Sequence, residues 1–193
     1  MNVILVNGSR REHGCTWTAL EEIARELQAC GVDSEQIFIG NRAVNGKINE
    51  AVREVGEKMR TADALIIGSP VYYASPSGEV IAFLDRLFWN YGKEMAYKPG
   101  AAVVSARRGG TTASFDVLNK YFTISQMPLV SSQYWNMVHG NTPEEVRQDA
   151  EGLQIMRTLA RNMAWLLKCI QAGREHGVAV PEMEEHLWTN FIR

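Results

Sequence analysis

The chain has 193 residues, 46% of them hydrophobic, and a formal net charge of −2 from 20 basic and 22 acidic side chains. This length fits one domain, which can bury about 70% of its unfolded surface without disulfides. The near balance of charge argues against a nucleic-acid surface and gives no reason to invoke a membrane. The sequence opens directly on an apolar strand, without the pattern of a signal peptide, and its apolar runs fall short of the about 18 residues that span a bilayer. We expect a cytoplasmic protein.

The three cysteines are too scattered in the sequence to predict a zinc or iron–sulfur site. Cys30 ends a helical pattern and Cys169 lies on an apolar helix face, so both are interpreted as core or boundary residues. Cys15 lies at a helix start, where a thiol pKa tends to fall. It is either a redox thiol or, as we favour, a spacer that donates its backbone N–H to an anion.

Strands and helices alternate along the chain, which is typical of a parallel α/β sheet. The last helix is predicted to begin with Thr142 as N-cap, Pro143 in the first turn and Glu145 completing a capping box. Five strands joined by helices predict a three-layer, doubly wound parallel sheet of order 2-1-3-4-5 over residues 1–176, followed by a tail, 177–193. The predicted strands are 3–6, 36–39, 64–69, 101–105 and 129–138, and the predicted helices are 17–30, 49–60, 78–91, 112–124 and 142–175.

The loop after the first strand, residues 7–16, has the composition of a phosphate site. It carries two glycines, two hydroxyl side chains and two arginines, and a helix follows it. A helix N-terminus stabilises an anion through its free N–H groups and its dipole. The loop is not a P-loop, because five residues separate Gly8 from Gly14, and Glu21 stands where a cysteine phosphatase would need arginine. The alternative interpretation is an ordinary strand-to-helix turn.

Ligands of doubly wound sheets bind beyond the carboxyl ends of the strands, so the loops after strands one, three and four should converge. The loop 68–78 contains two prolines that stiffen it, three serines and the adjacent aromatic residues Tyr72 and Tyr73. A rigid loop with donors and apolar faces suits a planar heteroaromatic ring. In the alternative interpretation both tyrosines close the core.

The loop after the fourth strand, residues 105–112, contains a glycine pair before a helix start. The backbone N–H groups of Gly109, Gly110 and Thr111 could bond the pyrimidine edge of a flavin, and a nearby positive charge would stabilise the anionic reduced ring. Arg107 and Arg108 either belong to this site or are solvated surface charges. The same loop could instead hold a phosphate of a nicotinamide cofactor.

At these three loops the sequence resembles the flavodoxin-like NAD(P)H-dependent FMN reductase family, in its branch of iron–sulfur flavoprotein-like and flavodoxin-family oxidoreductases. Residues 8–16 look like the family's Gly-Ser-Pro-Arg-x-x-Gly-Asn-Thr phosphate loop, with Arg10 in place of proline and Cys15 in place of asparagine. Residues 69–73 with Gly78 are similar to the second flavin loop, and residues 106–111 to the third. The cysteine cluster of the iron–sulfur members is missing, so no cluster is carried over.

The resemblance implies a flavodoxin-like fold and bound FMN, which takes a hydride from NADPH or NADH and reduces a quinone, a nitro- or azo-aromatic or a free flavin. The flavin carries this chemistry, so no catalytic side chain is named. The cofactor-binding residues that the resemblance implies are Ser9, Arg11, Gly14, Cys15, Thr16, Pro70, Val71, Tyr72, Tyr73, Gly78, Ala106, Arg107, Gly109, Gly110 and Thr111.

Two other functional classes stay open: a flavodoxin-type electron carrier, which would tend to be more acidic, and a ligand-binding module without flavin. We interpret His13 and His139 as solvated residues rather than proton donors. The tail carries too many apolar residues to leave exposed, so it either returns to the sheet or docks on another subunit, and we expect a homodimer or homotetramer. These residues are Leu187, Trp188, Phe191 and Ile192.

Overall fold

The computed structural model describes residues 1–191, so the predicted role of Ile192 in the tail lies outside the described residues. The strands are β1 (Asn2–Asn7), β2 (Asp33–Phe38), β3 (Ala64–Tyr72), β4 (Ser75–Pro76), β5 (Gly100–Ala106) and β6 (Met137–His139). The helices are α1 (Cys15–Ala29), α2 (Ile48–Met59), α3 (Gly78–Met95), α4 (Thr111–Ile124), α5 (Pro143–Gln148) and α6 (Ala150–Glu175), and a short 3-10 helix covers Gly40–Arg42.

Five parallel strands form the sheet in the order β2-β1-β3-β5-β6. This confirms the predicted order 2-1-3-4-5, because β4 only pairs antiparallel with the end of β3. Strand β1 lies inside the sheet and is apolar because both of its faces are covered. Ile4 and Val6 pack into the core under α2, α3 and α4, whereas Val3 and Leu5 pack into the core under α1 and α6. The sheet is therefore the middle of three layers.

The predicted fifth strand, 129–138, is wrong over most of its length. Only the three residues of β6 pair with β5, and Leu129 makes one isolated bridge to Gly100. Backbone hydrogen bonds to β5 hold the two ends of the segment between them, at Val130 and Asn136, and side chains hold the rest. The buried amide of Asn136 donates to the carbonyl of Ala102 at 3.1 Å and accepts from the Ser132 hydroxyl at 2.8 Å.

The predicted last helix is two helices, because the chain leaves helical geometry at Asp149 (φ −75°, ψ 80°). Its carboxylate accepts from the Gly152 N–H at 2.9 Å, which caps α6, and from the His139 N–H at 2.7 Å. Thr142 caps α5 as predicted, since its hydroxyl accepts from the Glu145 N–H at 3.3 Å. The Glu145 carboxylate accepts from Asn141 rather than from the Thr142 N–H, so the capping box is incomplete.

Beyond α6, residues 178–190 form neither helix nor strand. Val178 and Pro181 line a cleft with Tyr97 and Pro128, which precede or flank the start of β5. The tail thus runs along the amino ends of the strands. Within residues 1–191 the helices are too short or too polar to cross a bilayer.

Candidate functional site

The loops that follow β1, β3 and β5 converge at the carboxyl edge of the sheet, as predicted. The Gly8 N–H donates to the Gly68 carbonyl at 2.9 Å, and the Ser77 hydroxyl donates to the Gly8 carbonyl at 3.4 Å. The Thr16 and Ser105 hydroxyl groups share a buried hydrogen bond of 2.8 Å. A Cβ at Gly8 would lie 2.0 Å from a methyl group of Val80, so only glycine permits this approach.

The loop after β1 is held in shape by Asn7, which is completely buried. Its Nδ2 donates to the Glu12 carbonyl at 2.8 Å, and its Oδ1 accepts from the Ser9 N–H at 3.1 Å. The Ser9 Oγ then accepts from the Arg11 N–H at 3.1 Å. This use leaves the hydrogen of the Ser9 hydroxyl available to a ligand.

The N-terminus of α1 points free amide groups at the space that this loop encloses. The first bond of helical spacing runs from the Thr18 N–H to the Gly14 carbonyl at 3.0 Å. The N–H groups of residues 15–17 precede that bond and have no acceptor within the helix. The exposed guanidinium of Arg11 has no ion-pair partner among residues 1–191. Together these donors make a candidate anion site.

The loop after β3 is a hairpin rather than the irregular turn expected from the sequence. Val71 pairs with Pro76 and Tyr72 with Ser75, so Tyr73 and Ala74 form a two-residue turn. Both have positive φ, 51° and 57°, as a type I′ turn requires, but neither is glycine or asparagine. Tyr72 is 43% exposed and Tyr73 fully exposed, so the interpretation that both close the core is wrong.

The hairpin packs against the start of α4 at Gly110. This glycine is the N-cap of α4 and has a φ of 95°. A Cβ at this position would lie 2.7 Å from the Ala74 Cα and 2.9 Å from a methyl group of Val71. The packing of the hairpin therefore requires glycine at position 110. Gly109 is exposed with open space around it, so packing does not require glycine there.

A cavity of about 140 Å³ lies among the three loops. Nine of the predicted residues line it: Ser9, Arg11, Cys15, Thr16, Pro70, Val71, Tyr72, Ala106 and Arg107. Six others do not. Gly14, Gly110 and Thr111 belong to the helix starts beside the cavity, Tyr73 points to solvent, Gly78 begins α3 and Gly109 lies on the exposed loop.

Three further residues line this cavity and were missed: Ser105, Gly140 and Asn141. Ser105 could have been predicted to line the site, because its hydroxyl lies near the carboxyl end of a strand inside the sheet. Gly140 and Asn141 follow β6, and a loop after the fifth strand also lies at the carboxyl edge of a parallel sheet. Arg107 lines the cavity and Arg108 does not, although both are exposed. Of the two arginines, only Arg107 is therefore placed to contact a ligand in this cavity.

Cys15 departs from its prediction. Burial raises the pKa of its thiol, although Arg11 acts in the opposite direction, so the expected fall is wrong. The Sγ donates weakly to the Gly140 carbonyl at 3.5 Å. A protonated thiol engaged with Gly140 fits the spacer interpretation better than a redox thiol, because the thiolate is the reactive form.

The side chains that could bind a metal do not come together in residues 1–191. His13 packs edge-on against Trp17, with ring centroids 4.8 Å apart. In residues 1–191, His, Cys, Asp and Glu side chains form no group of three or more that could hold a metal ion.

The residues around the cavity fit a phosphorylated aromatic cofactor. The free α1 amides, the Ser9 hydroxyl and Arg11 match the donor needs of a phosphate dianion. The stiff wall of Pro70 and Val71 with the half-exposed Tyr72 ring offers an apolar face for a planar ring. This sheet order, with its ligand cavity at the carboxyl ends of the strands, defines a flavodoxin-like protein.

Comparisons with known proteins assign the family. Residues 1–142 match the NADPH-dependent FMN reductase family, and the chain belongs to it. It is an FMN-dependent oxidoreductase. An iron–sulfur flavoprotein of Methanocaldococcus jannaschii is 28% identical over 192 residues, which cover 89% of this chain and 100% of that protein.

Solved structures share the fold. The flavodoxin, WrbA-like protein from Agrobacterium tumefaciens superposes with a TM-score of 0.65 at 17% identity, over 87% of this chain and 98% of that one. RosB, solved with bound 8-demethyl-8-formylriboflavin-5′-phosphate, superposes with a TM-score of 0.70 at 14% identity, over 100% of this chain and 94% of that one. The flavodoxin-like fold predicted from the sequence is confirmed.

Proposed function

We propose that the protein holds FMN in the cavity between the three loops and uses NADPH or NADH to reduce a small acceptor such as a quinone, a nitro- or azo-aromatic or a free flavin. The observation that carries this proposal is that the donors at the start of α1 line the same cavity as Tyr72 and the loop after β5. FMN held by the residues of this cavity would supply the redox chemistry, in which the two electrons and the proton of a nicotinamide hydride pass to the acceptor.

The phosphate of FMN is assigned to the loop after β1. The N–H groups of Cys15, Thr16 and Trp17, the Ser9 hydroxyl and the Arg11 guanidinium bind it. Asn7 acts as a positioning residue, because its two hydrogen bonds fix the backbone from Ser9 to Glu12. Cys15 serves as a spacer whose thiol is held by Gly140 while its amide faces the anion.

The ring of FMN is assigned to the space between the hairpin and the loop after β5. Pro70, Val71 and Tyr72 form its apolar wall, and the exposed backbone at Gly109 is free to donate to the pyrimidine edge. Arg107 places positive charge near that edge, which favours the anionic reduced ring. The relation to an iron–sulfur flavoprotein and to RosB, which holds a riboflavin phosphate derivative, supports this assignment.

The test compares FMN with riboflavin, which lacks the phosphate. Arg11→Gln is expected to weaken FMN binding about tenfold, which is about 1.4 kcal/mol, and to leave riboflavin binding unchanged. Arg108→Gln, on the exposed loop outside the cavity, is the matched control. Equal losses for both ligands would contradict the phosphate assignment.

Turnover is tested with NADPH or NADH and a quinone acceptor. Steady oxidation of the nucleotide by the flavin-loaded protein is expected. A protein that is reduced only by a partner reductase would be an electron carrier, and a colourless protein that takes up no flavin would be a ligand-binding module.

A further inference from the structure

The tail passes two clefts and then presents apolar side chains to water. Its first residues, 178–181, line the cleft at the amino ends of the strands. Met183 and His186 line another cleft, beside Trp89 and Gln126. The apolar side chains that follow are almost fully exposed in the single chain. They are Leu187, Trp188 and Phe191.

The cleft at the amino ends of the strands, called the α6 cleft below, is open and mainly apolar. Leu166 and Cys169 of α6 form one wall, and Tyr97 and Pro128 lie opposite. Val180 of the tail is 55% exposed although it lines the cleft. The volume is about 360 Å³. An apolar cavity of about 150 Å³ holds benzene, so the α6 cleft has room for a larger aromatic side chain.

The tail and the α6 cleft carry opposite charges. Glu182, Glu184 and Glu185 precede the exposed apolar side chains and form no ion pair within residues 1–191. Arg174 lines the cleft, is exposed, and also has no ion-pair partner in that range. Opposite charges on two facing surfaces speed their association and fix its register. The acidic run of the tail therefore complements the rim of the cleft.

We propose that residues 187–191 of one copy of the chain dock in the α6 cleft of a second copy, which returns the exchange. The same chain does not fill its own cleft, because Met183 and His186 hold its tail at the other cleft. Since residues 178–181 form a wall of the α6 cleft, the two tails run side by side across a two-fold axis.

The exchange buries enough surface for a stable dimer. An aromatic side chain buries about 150–250 Å², so Trp188 and Phe191 of both tails together bury about 600–1,000 Å². The cleft surfaces that they cover bury a comparable area. The total is then about 1,200–2,000 Å², the standard size of a specific interface. This inference goes beyond the proposed function and does not depend on bound FMN, because the cavity among the three loops lies at the other edge of the sheet.

A disulfide across the interface tests the exchange. Thr189→Cys keeps the apolar side chains of the tail, and under an added oxidant it should link to the exposed Cys169 of the other copy. Thr189→Cys/Cys169→Ser, which cannot reach Cys169 in its own chain, is mixed with size-tagged unaltered protein. Peptide mapping of the covalent dimer should join position 189 of one chain to position 169 of the other.

The matched control for this link is Val44→Cys/Cys169→Ser. Val44 is 67% exposed and follows the carboxyl end of β2, away from the α6 cleft, so this variant should not link to Cys169. A link within one chain in Thr189→Cys, or a preferred link to Cys15 or Cys30, would overturn the proposal.

Association is measured by analytical ultracentrifugation at micromolar concentration. Cys169→Glu places a charge in the apolar cleft and should raise the dissociation constant of the dimer at least tenfold. Ala172→Glu puts the same charge on an exposed part of α6 that does not line the cleft, and it should leave this constant unchanged. A monomeric unaltered protein, or an unchanged dissociation constant in Cys169→Glu, would contradict the exchange.

Charge reversal distinguishes a specific contact from a general loss of stability. Arg174→Glu should weaken the dimer, because it sets a carboxylate against the acidic run of the tail. Adding Glu184→Lys and Glu185→Lys to that variant should restore association, which a merely destabilised protein would not do. Failure of the second change to restore the dimer would overturn the pairing of the tail with the cleft.

Discussion

The hydroxyl groups of Thr16 and Ser105 lie 2.8 Å apart and join the first turn of α1 to the end of β5. Both residues are buried, with exposed fractions of 1% and 4%. Because β3 lies between β1 and β5 in the sheet, this bond reaches across the carboxyl end of the central strand. It fixes the spacing between the anion site and the loop that carries Arg107.

Thr16→Val is expected to lower the free energy of unfolding by about 1–3 kcal/mol, because it leaves the buried Ser105 hydroxyl without its partner. The double variant Thr16→Val/Ser105→Ala should lose less than the sum of the two single variants, since it removes both members of the pair. Urea denaturation of the four proteins measures this coupling. Losses that add fully would show that the two hydroxyls do not interact.

Arg107 and Arg108 form a matched pair for testing charge at the flavin. Arg107→Gln should lower the two-electron potential of bound FMN by about 30 mV, corresponding to about 1.4 kcal/mol, because it removes a cation that favours the anionic reduced ring. Arg108→Gln should shift the potential by less than half as much, since its side chain does not line the cavity. Equilibration with a redox dye measures both. Equal shifts of the potential in the two variants would show that Arg107 does not lie closer to the flavin than Arg108.

The hairpin turn predicts an unusual response to glycine. Ala74 has a φ of 57°, a conformation that costs an alanine about 1–2 kcal/mol. Ala74→Gly should therefore leave the free energy of unfolding level or raise it by up to about 1 kcal/mol, although glycine usually destabilises. Ala96→Gly is the control, because Ala96 has a φ of −54°. It should lower the free energy of unfolding by about 0.5–1 kcal/mol. Similar losses at both positions, measured in urea, would argue against strain in the turn.

The Cys15 thiol gives a pH dependence with a defined sign. Burial raises its pKa in the folded protein, with Arg11 opposing, so the unfolded chain ionises this thiol first. Its contribution to stability is therefore complete below the unfolded value, about 8.5, and is lost as the pH rises through the folded value. Urea midpoints of the unaltered protein and of Cys15→Ser should diverge less at pH 10 than at pH 7. A constant difference would contradict the raised pKa.

The exposed tail predicts self-association. Leu187, Trp188 and Phe191 are 85%, 85% and 100% exposed in the single chain. Apolar side chains of this size seldom stay in water together, so we expect a homodimer or homotetramer at micromolar concentration by light scattering. Replacing all three by serine should shift the protein towards the monomer. A monomeric unaltered protein would rule out this association.

The elements that position the site were predictable because strong local signals coincide there. The apolar run of β1 predicts a buried strand of a parallel sheet. The glycines on either side of Arg11 predict the candidate anion site. The hairpin after β3 could not be predicted, because Tyr73 and Ala74 adopt positive φ without the glycine or asparagine that usually marks such a turn.

The errors after β5 have a similar cause. Residues 129–136 are apolar enough to predict a strand, but side-chain hydrogen bonds from Asn136 and Ser132 hold most of the segment as a loop. The break at Asp149 lies within a continuous helical pattern. Its carboxylate stabilises the break by binding the Gly152 and His139 N–H groups at once, and the second bond depends on the tertiary fold.

The tail and the cavity among the three loops lie at opposite edges of the sheet. Val178 and Pro181 lie near the residues that precede β5, whereas Ser9 and Arg107 lie beyond the ends of their strands. Self-association through the tail would thus leave the cavity at the opposite edge open to small molecules. Substitutions in the tail and substitutions around the cavity should therefore alter self-association and ligand binding independently.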